Sequence, residues 1–293
     1  MTRQSVRKTD YDREALLAFW GLPVVAALVM LVVAAGLVHA GLSPRQGICW
    51  GALTCTKTLE RFLSLSVFLM MALGLSFGAA SFLRRLGATQ KLMQAALQNR
   101  TAAGDDIRDL ARECDLEGRV LLVRHGEPFA FTGGWLHPVV VLSTTLCDAL
   151  SRDELRAILW HEKYHVLRRD PLKVLLATSI TDGFFYAPLV AEVTRWYESA
   201  KELAADAWAV AHMGTELGLA GALVKLARRQ PLRGLPGGWG YALAGGLGMG
   251  YMRMTRLLEP DLPLPRGRWP ARAILMTTIA AGYVMAVLLG RCH

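Results

Sequence analysis

Three strongly apolar stretches of the chain carry no charged residue for nearly the length of a bilayer crossing, and between the second and third lies a segment with the periodicities of a folded domain. The uncharged runs are residues 18–40, 62–83 and 273–290. At about 1.5 Å of rise per helical residue, each covers or nearly covers a hydrocarbon core of about 30 Å. Arg3, Arg7, Lys8 and Arg13 precede the first run, Arg84, Arg85 and Lys91 follow the second, and Arg266, Arg268 and Arg272 precede the third. Positive charge marks the cytoplasmic side. The expected topology is a hairpin over 18–40 and 62–83 with a short outer loop, a cytoplasmic domain over 84–270, and a last span within 271–293 that leaves the C-terminus outside.

The middle segment alternates between helical and strand patterns. Ile107, Leu110, Ala111 and Cys114 recur at helical spacing opposite Asp105, Asp106, Arg108 and Arg112, which predicts a surface helix within 87–118. Three β-type runs at 119–123, 128–132 and 139–143, separated by turn residues, predict a small sheet. Ser151 and Glu154 have the spacing of a capping box. The helix they start carries Leu155, Ile158, Leu159 and Val166 and stops by Asp170, because Pro171 disfavours helical geometry in the residue before it. Residues 172–191 are apolar but contain Lys173, Asp182, Gly183 and Pro188, and read as a buried or membrane-apposed segment that does not cross. A helix over 198–206, a Gly/Pro-rich loop over 231–240 and a basic amphipathic helix over 251–258 complete the pattern. The fold class is α+β: a mostly helical membrane protein with a small sheet and about three transmembrane helices.

Composition supports the membrane reading, since hydrophobic residues make up 53% of the chain and charged residues 19%. The net charge of +9 flanks the apolar runs instead of forming a patch on a nucleic-acid-binding fold, so no nucleic-acid partner is expected. Five cysteines form no metal-binding C-x-x-C pair; Cys49 and Cys55, in the outer loop, are the pair placed to form a disulfide, with free thiols as the alternative.

Candidate chemistry lies in the capped helix, at His161-Glu162-x-x-His165. Residues four apart stack on one helix face, so both imidazoles can address one metal ion, with the Glu162 carboxylate beside them to take a proton from water. Glu198, Glu202 and Asp206 share a face of the later helix, and on spacing alone either glutamate can supply a third ligand; a solvated acidic face is the bland alternative. The strand Val139, Val140, Val141, Leu142 and Ser143 is a candidate sheet edge for an extended peptide, against a purely structural role. Arg253 and Arg256 are candidate oxyanion donors, against snorkelling at the membrane surface. His125, His137 and His212 read as surface or locally bonded.

His161-Glu162-x-x-His165 followed by Glu202-x-x-x-Asp206 resembles the gluzincin metallopeptidases, in particular the integral-membrane M56 peptidases typified by the β-lactam sensor-transducers and the related M48 peptidases of the Ste24 and HtpX type. The strand region 128–143 and the run from Leu150 to Leu159 add to the likeness. The 36 residues between His165 and Glu202 leave no room for the transmembrane hairpin that M48 proteins insert there, which favours M56. The sequence ends after its last apolar run and has two spans before the catalytic region where the sensor-transducers have three, so direct β-lactam sensing is not expected.

The resemblance implies a zincin-like fold with one Zn2+ per chain, ligated by His161, His165 and Glu202. It makes Glu162 the general base and Asp206 the group behind a ligating histidine. It further implies a protein or peptide substrate, a bacterial inner or plasma membrane with lipid as the other partner, and a setting in stress or antibiotic-response signalling. A second reading stays open, in which the zinc fold is kept and the protein signals by binding a partner.

Overall fold

The structure is a computed structural model and describes residues 11–27, 30, 57–228, 253 and 255–257. The helices are α1 (11–27), α2 (Lys57–Gln98), α3 (Asp105–Glu113), α4 (Thr144–Ala149), α5 (Arg152–Arg168), α6 (Asp170–Gly183), α7 (Pro188–Met213) and α8 (Leu217–Arg228); the strands are β1 (Val120–Val123), β2 (Ala130–Gly133) and β3 (Val139–Ser143). Residues 253 and 255–257 are also helical. The expected loops over 41–56 and 231–240, the Cys49/Cys55 pair and the span within 271–293 lie outside the described residues, as does most of the far half of the run 18–40.

Two units make up the fold. Among the described residues, one comprises 11–17, 83–176, 197–228, 253 and 255–257, the other 18–27, 30, 57–82 and 177–196. In the first, the sheet has the order β1-β3-β2, with β1 parallel and β2 antiparallel to β3. Alternation along the strands sends Val140 and Leu142 to one face, against α3, α4, α5 and α8, and Val141 to the other, against Leu92, Ala96, Phe129 and Phe131. Gly134 turns the chain from β2 to β3 at φ 88°, and a Cβ there would meet the His137 carbonyl at 2.8 Å.

α5 is bounded by local chemistry. Ser151 accepts the Glu154 amide while the Glu154 carboxylate accepts the Ser151 amide at 2.7 Å, which completes the predicted capping box. At the other end Arg169 takes the left-handed conformation (φ 53°) and α6 restarts at Asp170. Pro171 falls in the first turn of α6, where its missing N–H would have no partner.

The second unit contains the apolar half of α2. Helix-forming residues through 84–98 let α2 run on past the end of its uncharged run, so Arg84, Arg85 and Lys91 decorate a continuous helix. Among the described residues one stretch is long and apolar enough to cross a membrane, Phe68–Gln98. The ambiguous segment 172–191 is helical on both sides of a reversal at 184–187. Gly183 packs on Gly74 and Gly78 of α2, so closely that a Cβ on Gly74 would meet the Gly183 carbonyl at 2.5 Å.

Candidate metal centre

α5 presents His161, Glu162 and His165 from a helix whose Leu155, Ile158, Leu159 and Val166 anchor it in the largest apolar cluster. Stacked by their spacing of four, the two imidazoles bring their Nε2 atoms to 3.2 Å. From α7, Glu202 places Oε2 3.5 Å from His161 Nε2 and Oε1 3.7 Å from His165 Nε2. Among the described residues, His161, His165 and Glu202 are the group whose ligand atoms converge; Glu198, its equal on sequence spacing, is not part of it.

These donors fit zinc. A tetrahedral ion bonded at about 2.0–2.1 Å sets its ligand atoms about 3.3 Å apart, and the observed 3.2, 3.5 and 3.7 Å bracket that separation. His161 Nδ1 lies 2.8 Å from Asp206 Oδ1, and His165 Nδ1 lies 2.6 Å from Asp170 Oδ2. Carboxylates only accept, so these partners put the hydrogens on Nδ1 and leave both Nε2 lone pairs facing each other beside a carboxylate. Such a set repels unless a cation lies within it. The acids favour positive charge at His161 itself: burial and Arg253 depress its pKa, but Asp206 and Glu202 outweigh them and raise it to about 9, a demand that either a proton or a metal ion can answer.

Two cations steady the acids. Arg253 is buried and bidentate on Asp206, at 2.8 and 2.7 Å, with Nη1 3.4 Å from Glu202. Lys201 donates to Glu202 Oε1 at 2.6 Å. Burial raises the Glu202 carboxyl pKa, but Lys201, the two histidines and Arg253 hold it well below its ordinary value. Burial likewise opposes ionisation of Asp206, and Arg253 and His161 overcome it.

Glu162 is 7% exposed, and its Oε2 accepts a hydrogen bond from the Thr132 hydroxyl at 2.7 Å. The same hydroxyl lies 3.1 Å from the Glu162 carbonyl. β2 is thus fastened directly over the histidine helix.

A profile of the family described as BlaR1 peptidase M56 matches residues 54–227, more than half of the chain. The chain belongs to the M56 peptidase family. It is also similar to a protein named Protease HtpX homolog from Thermodesulfovibrio yellowstonii, 30% identical over 135 residues that make up 44% of this chain and 46% of that protein. The chain thus spans about half the length of this curated relative.

Within this M56 chain two sequence expectations need correction. Val139, Val140, Val141, Leu142 and Ser143 do not form a sheet edge: β3 is the central strand, hydrogen-bonded on both sides, and four of its five residues are buried. Pairing order is a long-range property that an apolar pentapeptide does not encode. Arg253 is buried, with its fork on Asp206 and close to Glu202, which excludes the snorkelling alternative. Arg256 donates to the Tyr11 hydroxyl at 3.2 Å.

Other groups at the centre were not singled out from sequence. Asp170 belongs to the break after α5, and its only signal was an acid beside Pro171. Lys201 is one lysine on a mixed-charge helix and Thr132 an ordinary strand residue in sequence, so neither carries a local signal. Asp12 of α1 accepts from Arg168 at 2.5 Å and from the Tyr164 hydroxyl, so the N-terminal helix braces α5 from outside the motif. His125 and His212 are locally bonded, to the Glu127 amide and the Trp208 carbonyl, as expected.

Proposed function

We propose that this M56 family member is a membrane-anchored zinc endopeptidase that hydrolyses peptide bonds in a cytoplasmic or membrane-proximal protein, with one zinc per chain. The observation that carries the reading is the convergence of His161, His165 and Glu202, each imidazole backed by its own carboxylate. His161, His165 and Glu202 would hold the zinc, which would supply Lewis acidity toward a scissile carbonyl and lower the pKa of a water. Glu162 takes the proton from that water and delivers it to the leaving amine. Thr132 holds the Glu162 carboxylate in place. Asp206 and Asp170 fix the tautomers of His161 and His165, and Arg253 and Lys201 balance the buried acids.

An extended substrate is better matched to β2 than to β3, because β2 lies at the end of the strand order and bears Thr132 above Glu162. Residues 84–270 form the cytoplasmic peptidase region in this reading, with spans at 18–40 and 62–83 before it and 271–293 after it. That topology puts both ligand-bearing helices on one side of an inner or plasma membrane and the C-terminus on the other. The likeness to the β-lactam sensor-transducers supports a setting in stress or antibiotic-response signalling.

Purified wild-type protein is expected to contain about one zinc per chain. Glu162→Gln is expected to keep that zinc and stop cleavage, read as protein termini that appear in membrane proteomes of wild-type cells alone. A metal-free wild-type protein overturns the zinc assignment. Unchanged termini and an unchanged cellular phenotype in Glu162→Gln would instead favour a scaffold that works by binding a partner.

A further inference from the structure

The segment between the two ligand-bearing helices has features that peptide hydrolysis does not use. Between Lys173 and Glu192 its single charged residue is Asp182. The polar side chains there are turned inward: Asp182 accepts from Ser81 of α2, and Thr181 bonds Thr194 at 2.6 Å across the reversal and the Ala177 carbonyl at 3.0 Å. Backbone amides through the reversal find carbonyls nearby, Phe184 to Ile180 at 2.9 Å, Ala187 to Phe184 at 2.8 Å and Val190 to Ala187 at 2.9 Å. At the tip Phe185 is 60% exposed, set edge-on to Phe77 of α2 with ring centroids 6.2 Å apart.

We propose that the 177–196 hairpin is a re-entrant element whose Phe185 tip is immersed in the hydrocarbon of the bilayer alongside α2. The arc of exposed side chains on α2 argues for lipid over a protein partner. Leu65, Phe68, Leu69, Leu73, Leu75 and Phe77 are all exposed, and at 100° per residue they spread over about 200° of the helix circumference, twice the stripe that one packed helix covers. Gly74, Gly78 and Ser81 point the opposite way, toward the hairpin. The hairpin therefore takes one face of α2, and the medium that bathes the other reaches Phe185 through Phe77.

Length and hydrogen bonding both suit half-depth insertion. From Lys173 to Gly183 the helix rises ten residues, about 15 Å, half of a hydrocarbon core of about 30 Å. Non-helical backbone at membrane depth persists only where its polar groups are satisfied or packed on protein. The inward-facing bonds and the glycine contact with α2 meet that condition.

The inference rests on reading α2 as a membrane span, and the test separates the two. A photoreactive benzoylphenylalanine is placed at Phe185, at Leu73 of α2 as the membrane reference, or at exposed Glu216 as the aqueous one. Each full-length chain is reconstituted in phosphatidylcholine–phosphatidylglycerol vesicles, irradiated and analysed by mass spectrometry. The expected result is lipid adducts at 185 in the yield found at 73, and loss of adducts at 216. Lipid adducts at 73 but none at 185, or cross-links from 185 to a second copy of the chain, overturn the proposal and leave α2 a span. No lipid adducts at either position overturns the proposal together with the membrane reading.

Discussion

At the residue scale, the centre depends on groups that hold other groups. Thr132 donates to the carboxylate of Glu162, and a hydrogen bond to a charged group contributes roughly 1.5–3 kcal/mol. Thr132→Val, which keeps the shape and removes the hydroxyl, is expected to lower kcat about tenfold or more with KM unchanged. Thr132→Ser should restore the rate; equal losses in Val and Ser would show that only packing matters there. Asp170 holds His165 as Asp206 holds His161. Asp170→Asn is expected to weaken zinc binding about 10–100-fold in competition with a chelator. Asp206→Asn should weaken it at least as much, because it also leaves the buried Arg253 short of its partner. The histidine–glutamate motif was legible because helical spacing alone stacks its histidines. Thr132 and the partners of Arg253 were not, since these two residues arrive from 30 and 92 residues away from the motif residues they approach.

At the element scale, α5 was the most legible part of the chain. Its capping box is written into four consecutive residues, whereas its end is made by Arg169 in the left-handed conformation, with Pro171 already inside α6. Glu154 also receives Lys225 of α8 at 2.6 Å, so the cap ties two helices together. Burial raises the Glu154 pKa, but Lys225 and the Ser151 groups outweigh it and hold the carboxyl below its model-compound value of 4.5. A depressed carboxyl contributes stability that is present above the unfolded-state pKa and fades as pH falls through the folded one. Glu154→Gln is therefore expected to cost about 1 kcal/mol near neutrality. In thermal melts, its gap from wild type should narrow as pH drops below 4.5. A gap independent of pH would mean that the ionised carboxylate is not what stabilises the cap. The sequence pattern places the strands to within two residues, but alternation reports which face of a strand is buried and says nothing about which strand lies in the middle, so the edge expected at 139–143 is the central strand.

At the scale of the whole molecule, the chain visits each of its two units more than once, and α2, α6 and α7 each contribute residues to both. An apolar helix with 11% of its most hydrophobic window buried supports the proposed membrane anchoring. Alkaline carbonate extraction is accordingly expected to leave the protein in the membrane pellet, and release into the supernatant would refute the anchoring. By itself the sequence determined the features set by neighbours a few residues apart: the apolar runs, the capped helix, the stacked histidines and the acids on the face of α7. The choice of Glu202 over Glu198 came from the family resemblance and not from spacing. Tertiary structure decided that Asp206 holds His161 and Asp170 holds His165, that Arg253 serves Asp206, and that β3 is central. Those outcomes depend on contacts between segments far apart in the chain, whose formation is governed by packing and by the need to satisfy buried charge.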